Sequence, residues 1–203
     1  MKSNIVCYFV PDPLSIKKQE KYAAMCRGSD VLELGAVNDR FATLCDVAGV
    51  KSVTSIDMYP LSKRVIKYDI LKYFKDTKKK FDVVYARHLL EHFTPENVVS
   101  IIKGAYKVLR PKGRFIIVIP NMNNIAIATT EFWREFEHKR PYTSSGMAQN
   151  LTSCGFKVTA VEQDKDSWDM AWYKQAVRKL RSLIVGIPYE SPDVYIIGEK
   201  EKD

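Results

Sequence analysis

Ser29-Asp30-Val31-Leu32-Glu33-Leu34-Gly35-Ala36-Val37-Asn38-Asp39 is the stretch from which the fold can be read. Val31, Leu32 and Leu34 form a short apolar run of the kind required by a parallel strand buried on both faces. The run ends at Glu33-Leu34-Gly35. Asp39 is expected to N-cap a helix that buries Phe41, Leu44, Val47 and Ala48. A strand that breaks at glycine and re-enters as a helix leaves a crevice at the carboxyl edge of an open α/β sheet, where such folds bind ligands. Glu33, at the strand end, is placed to hold a ribose or an ammonium group there.

Downstream the same alternation repeats. Gly49 closes the helix, and Val53 to Ile56 reads as a second strand ending in Asp57-Met58. Asp57 follows the end of the first strand by about 20 residues, the interval at which nucleoside-binding α/β folds place the acid that takes the ribose hydroxyls. Val65 to Tyr68 is a short third strand ending in Asp69-Ile70, and Phe81 to Ala86 a fourth, left by Arg87-His88-Leu89-Leu90-Glu91-His92. Thr94-Pro95-Glu96 opens a helix with proline at its first position. Its apolar face is Val98, Ile101, Ile102, Ala105 and Leu109. Phe115 to Ile119 is a central fifth strand, and Asn121 to Thr130 a loop over the carboxyl edge. Thr143 to Cys154 reads as a helix, Phe156 to Val161 as a strand, Trp168 to Ile184 as a helix and Asp193 to Gly198 as a last strand. Residues 1–28 form an extended arm and a helix with a Lys17, Lys18, Lys21 face. Residues 29–203 complete a single α/β domain with helices on both faces of a mostly parallel sheet.

Lys and Arg number 32 against 24 Asp and Glu, a net charge of +8, which favours an anionic partner. No nucleic-acid-binding module is visible, and the Lys174, Arg178, Arg181 face reads as solvated. Cys7, Cys26, Cys45 and Cys154 are scattered without a CxxC pair, which suits reduced thiols in a cytoplasmic protein. The Ile5 to Val10 run is too short to span a bilayer, and no signal peptide is read. Trp168 and Trp172 read as core or lid packing.

With these residues in place, the chain resembles a class I S-adenosylmethionine-dependent methyltransferase. The resemblance runs in order from Ser29 to Val161. It rests on Val31-Leu32-Glu33-Leu34-Gly35, Ile56-Asp57, Tyr68-Asp69-Ile70, Phe81-Asp82-Val83-Val84, Leu90-Glu91-His92 and Leu109-Arg110-Pro111-Lys112-Gly113-Arg114. It implies a Rossmann-like seven-stranded sheet, mostly parallel, with the last strand antiparallel. It also implies S-adenosylmethionine as cofactor. Glu33, Gly35 and Ala36 would flank the methionine part, and Asp57 with Met58 the ribose. Asp69 would contact the adenine amino group with Ile70 against the ring. Ala86 and Arg87 would line the methionine and acceptor side.

Val37 and Asp39 stand where the family's first motif has its second and third glycines. Val37 is β-branched and resists positive φ, so the turn is expected to take an ordinary conformation displaced outward. The same departure motivates an alternative reading, a methyltransferase-shaped binding or regulatory module without turnover.

The segment Phe132-Trp133-Arg134-Glu135-Phe136-Glu137-His138-Lys139-Arg140-Pro141-Tyr142 is similar to one in methyltransferases encoded with polysaccharide-building enzymes. It implies a small-molecule or saccharide acceptor of anionic character. His92 or His138 would take the acceptor proton and Arg140 would position a phosphate. His88-Leu89-Leu90-Glu91-His92 also matches the H-x-x-E-H zinc-peptidase pattern, but no third ligand is suggested by spacing, and no metal is expected.

Overall fold

The computed structural model of the chain describes residues 13–164, 176–177, 180 and 190–201. The N-terminal arm, Cys7, Trp168, Trp172 and the Lys174, Arg178, Arg181 face lie outside the described residues. Seven strands form one sheet: β1 (Asp30–Leu34), β2 (Ser52–Asp57), β3 (Ile66–Lys67), β4 (Phe81–Arg87), β5 (Leu109–Pro120), β6 (Phe156–Gln163) and β7 (Asp193–Lys200). Their order is β3-β2-β1-β4-β5-β7-β6. β1 to β5 run parallel, and β7 is antiparallel to β5 and β6. The expected fold class is thus the observed one.

Strand side chains alternate between two cores, as the period of two requires. Leu32, Leu34, Val84, Ala86, Phe115 and Ile117 pack beneath α3 (Ile70–Asp76), α4 (Pro95–Val108) and α5 (Ser144–Ser153). Val31, Val83, Tyr85, Ile116 and Val118 pack beneath α1 (Pro13–Met25) and α2 (Arg40–Ala48). Tyr22 on α1 is fully buried against Tyr85 and Tyr195, and its hydroxyl donates to the Asp164 carboxylate at 2.6 Å. Lys21 pairs with the same carboxylate. α1 is therefore fastened across the sheet's carboxyl edge, which brings Gln19 into the cleft described below.

Several local expectations are corrected. Asp39 makes no side-chain cap; it sits at φ −91°, and the Asn38 Oδ1 accepts from the Arg40 backbone N–H at 3.0 Å. α2 buries Phe41, Ala42 and Cys45, whereas Val47 is exposed. Val47 lies about 200° around the helix from Cys45, on the opposite face. Leu109 is not on the helix face: it opens β5 and pairs with Phe81, so β5 is longer than its apolar run. α3 forms where the sequence reading predicts no helix. Asp69 caps it, its side chain accepting from the Lys72 N–H at 2.8 Å, and Ile70 and Phe74 form its buried face. The Asn121 to Thr130 stretch, expected as loop, runs into a short helical turn at Ile127–Glu131, and Phe132–Arg134 forms a second. Cys26, Cys45 and Cys154 are free thiols. No helix among the described residues is long and apolar enough to cross a membrane.

Candidate functional site

The cleft opens where β1 and β4 end side by side. Gly35 directly follows β1 at φ 72°, in the left-handed region that favours glycine. A Cβ there would meet Leu89 Cδ1 at 2.7 Å. The Gly35 and Ala36 N–H groups both donate to the Ile56 carbonyl, at 3.0 and 3.2 Å, and the Val37 carbonyl accepts from Leu61 N–H at 2.7 Å. The turn is thereby clipped to β2 and the loop beyond it. Val37 keeps an ordinary φ, as β-branching requires, and is partly exposed at the cleft wall.

The cleft gathers Glu33, Gly35, Ala36 and Arg87 from the expected set, together with Gln19, Asn38, Tyr85 and His88. Asp57, Met58, Asp69, Ile70 and Ala86 are not in its wall. Asp57 ends β2 with its Oδ1 accepting from the Tyr59 N–H at 2.6 Å, and desolvation holds its pKa above the usual carboxylate value. Met58 beside it is exposed. Ile70 and Ala86 are core residues, at 6% and 1% exposure.

The electrostatics of the cleft are unusual for a bare protein surface. The Glu33 carboxyl is buried, accepts from Ser55 Oγ at 2.6 Å and is pushed by desolvation up to about 7. Arg87 Nε and the Tyr85 hydroxyl are buried without a hydrogen-bond partner. Buried donors of this kind ordinarily find a partner, from the protein, from water or from a bound molecule.

Beyond β4 the chain turns through His88, held at φ 47°, an uncommon conformation for a non-glycine residue. Its N–H donates to the Val118 carbonyl at 2.9 Å, and its Nε2 lies 3.2 Å from Asp193. Desolvation works against charge on this imidazole, but Asp193 and Glu91 outweigh it and raise its pKa to about 9. Asp193 reaches this edge because β7 runs antiparallel, which sets its first residue opposite Pro120 at the end of β5.

The loops after β4 and β5 are joined. The Lys139 and Arg140 N–H groups donate to the Glu91 carbonyl at 2.8 and 3.3 Å. Asn121 and Asn124 side chains donate to the Ser191 and Glu190 carbonyls at 2.9 and 2.7 Å. His138 stacks on Phe132 and lies with its ring centroid 4.8 Å from that of His92. The structure therefore brings His92 and His138 together. Arg140 is exposed, near the Tyr142 ring. Phe136 and Trp133 are exposed, and Phe132 is buried.

Sequence reading missed His88, Glu91 and Asp193 as site residues. The first two were visible within H-x-x-E-H; Asp193 carried no local signal.

Comparison with known proteins agrees with the fold. The family model described as "Methyltransferase domain" matches residues 16–161. The chain is 27% identical over 99 residues to phosphoethanolamine N-methyltransferase of Plasmodium falciparum, a match covering 45% of this chain and 35% of that enzyme. It thus spans about a third of that relative's length. Among solved structures it resembles a SAM-dependent methyltransferase from Archaeoglobus fulgidus, with TM-score 0.72, 21% identity and coverage of 92% and 93% of the two chains. It also resembles the N-methyltransferase NodS of Bradyrhizobium japonicum in complex with S-adenosylhomocysteine. There the TM-score is 0.62 and the identity 15%, over 94% of this chain and 89% of that one.

Proposed function

The chain belongs to the methyltransferase-domain family, and from that premise we propose that it transfers a methyl group from S-adenosylmethionine to a nitrogen or oxygen of a small acceptor. The observation that carries this reading is the pair formed by the buried Glu33 carboxyl and the unpartnered Arg87 Nε in one cleft. They suit the ammonium and carboxylate of an amino-acid moiety. The cofactor supplies an electrophilic methyl on a sulfonium. The protein's own residues bind, orient and exclude water. Gly35 and Ala36 offer backbone next to the methionine part, and Asp57 takes the ribose hydroxyls with Met58 alongside. Asp69 and Ile70 serve the adenine, and Ala86 contributes main chain. Holding nucleophile and methyl in near-attack geometry supplies most of the rate.

The acceptor side is formed by His92, His138 and Arg140. For a hydroxyl acceptor an imidazole takes the proton; a phosphate needs no base, and Arg140 positions it. A phosphorylated or glycan-linked acceptor is supported by the net charge of +8, the exposed Arg140, the exposed Trp133 and Phe136, and the partial likeness to a phosphoethanolamine enzyme.

The test is isothermal titration with S-adenosylmethionine and S-adenosylhomocysteine, followed by product detection over a panel that includes phosphoethanolamine and phosphorylated sugars. Micromolar binding is expected, roughly −7 to −8 kcal/mol. No heat from folded protein at millimolar ligand would reject the reading. Asp57→Ala is expected to weaken S-adenosylhomocysteine binding by about 1.5–3 kcal/mol with little loss of fold. An unchanged dissociation constant would remove Asp57 from the site. Arg140→Ala is expected to cut methyl transfer to an anionic acceptor at least about tenfold, through KM, while the cofactor dissociation constant stays put. Loss of cofactor binding instead would show that the cofactor and acceptor halves are wrongly divided.

A further inference from the structure

Glu91 is 1% exposed, yet neither carboxylate oxygen has a hydrogen-bond partner among the described residues. Its nearest cation is His88, whose Nδ1 stands 3.4 Å from Oε1. Beside it, His92 Nδ1 is also buried and unpartnered. Across the cleft between the loops, His138 Nδ1 lies 2.7 Å from the Phe132 carbonyl. A carbonyl only accepts, so Nδ1 carries the hydrogen, and in the neutral imidazole Nε2 carries the lone pair, with a Glu135 carboxylate oxygen 3.7 Å away. One ligand atom each from Glu91, His92 and His138 lies within 4.8 Å of the others.

We propose that Glu91, His92 and His138 bind a divalent first-row transition-metal ion, Zn2+ being the representative. Three features support this chemistry. Two imidazoles and one carboxylate make a donor set suited to such ions that leaves coordination positions open. A metal-bound imidazole characteristically donates its other N–H to a carbonyl or carboxylate, which the Phe132 carbonyl provides for His138. An ion with bonds of about 2.0–2.1 Å sets tetrahedral ligands roughly 3.4 Å apart, so small side-chain rotations close the cluster. The main-chain bonds from Lys139 and Arg140 to the Glu91 carbonyl already hold the two loops at this spacing. The ion satisfies the orphaned Glu91 oxygens and His92 Nδ1, and it pins the turn after β4 to the segment after β5. Metal binding itself is independent of the methyl-transfer reading; use of the open position by an acceptor oxygen rests on it, and with the ion bound His92 and His138 are ligands, so the acceptor proton passes to solvent rather than to either imidazole.

The experiment is titration of the untagged, chelator-treated full chain with Zn2+ by calorimetry and with Co2+ by visible absorption. One ion per chain at micromolar affinity or tighter is expected, with the d–d bands of a nitrogen- and oxygen-ligated site and a higher melting temperature. Glu91→Gln and His138→Ala should each weaken Zn2+ by more than about tenfold. Unchanged far-ultraviolet circular dichroism and a cooperative urea transition in the absence of metal would show that both variants remain folded. No stoichiometric ion, a sulfur-to-cobalt charge-transfer band, or unchanged affinity in both variants would overturn the proposal. Metal binding without any cofactor binding would instead reject the methyltransferase reading and leave this site standing.

Discussion

Glu33→Gln is expected to stabilise the ligand-free protein at pH 8 by roughly 3 kcal/mol while leaving its stability near pH 4.5 little changed. Glu33 is buried at the end of β1, bonded to Ser55, and its pKa is pushed to about 7 by desolvation. The unfolded chain returns it to an ordinary carboxyl value of about 4.3. Between those values the folded state binds more protons than the unfolded state, so stability falls as pH rises. The loss is complete once pH exceeds about 7. Glutamine imitates the protonated carboxyl and removes that slope. Urea unfolding of both proteins across this range checks it; parallel curves would mean that Glu33 does not titrate in the window.

The same carboxylate, once ionised, is the proposed partner of the cofactor's ammonium group. Glu33→Gln should then weaken S-adenosylhomocysteine by about 1.5–3 kcal/mol at pH 8. Wild-type affinity should rise with pH through about 7. A gain in stability with a loss in affinity is the signature of a residue kept for binding.

Gly35→Ala is expected to destabilise the fold by about 2–5 kcal/mol and to distort the cleft. Two costs combine. An alanine at φ 72° pays about 1–2 kcal/mol of left-handed strain. Its Cβ, 2.7 Å from Leu89 Cδ1, also overpacks a buried contact, at about 1–3 kcal/mol. The melting temperature should drop by roughly 4–20 °C. The parts separate in a double-mutant cycle, because Leu89→Ala removes the clash and leaves the strain. Additive single and double variants would show that Leu89 yields freely and that backbone conformation alone demands glycine.

The sequence by itself determined the strand-turn-helix at residues 30–48, because the apolar run of Val31, Leu32 and Leu34 breaks at Gly35 and the same strand-helix alternation repeats downstream at regular intervals. It determined that Val37 keeps an ordinary φ, since β-branching is a local steric property. The antiparallel last strand followed from resemblance, not from any feature of residues 193–198. Where the sequence reading failed locally, a nearby competitor won: Asn38 took the backbone bond expected of Asp39, and, because Ile70 and Phe74 recur at helical spacing, a helix follows Asp69 where none was expected.

Only the tertiary structure decided which loops meet. Periodicity reports which face of an element is buried, but not which element lies beside it. β4 and β5 are neighbours in the sheet, so the turns leaving their carboxyl ends converge and His138 meets Glu91 and His92. Asp193 reaches His88 because an antiparallel β7 begins at the edge where the parallel strands end. The third member of the Glu91, His92, His138 cluster is distant in sequence and local only in space. That is why H-x-x-E-H, read along the chain, looked incomplete.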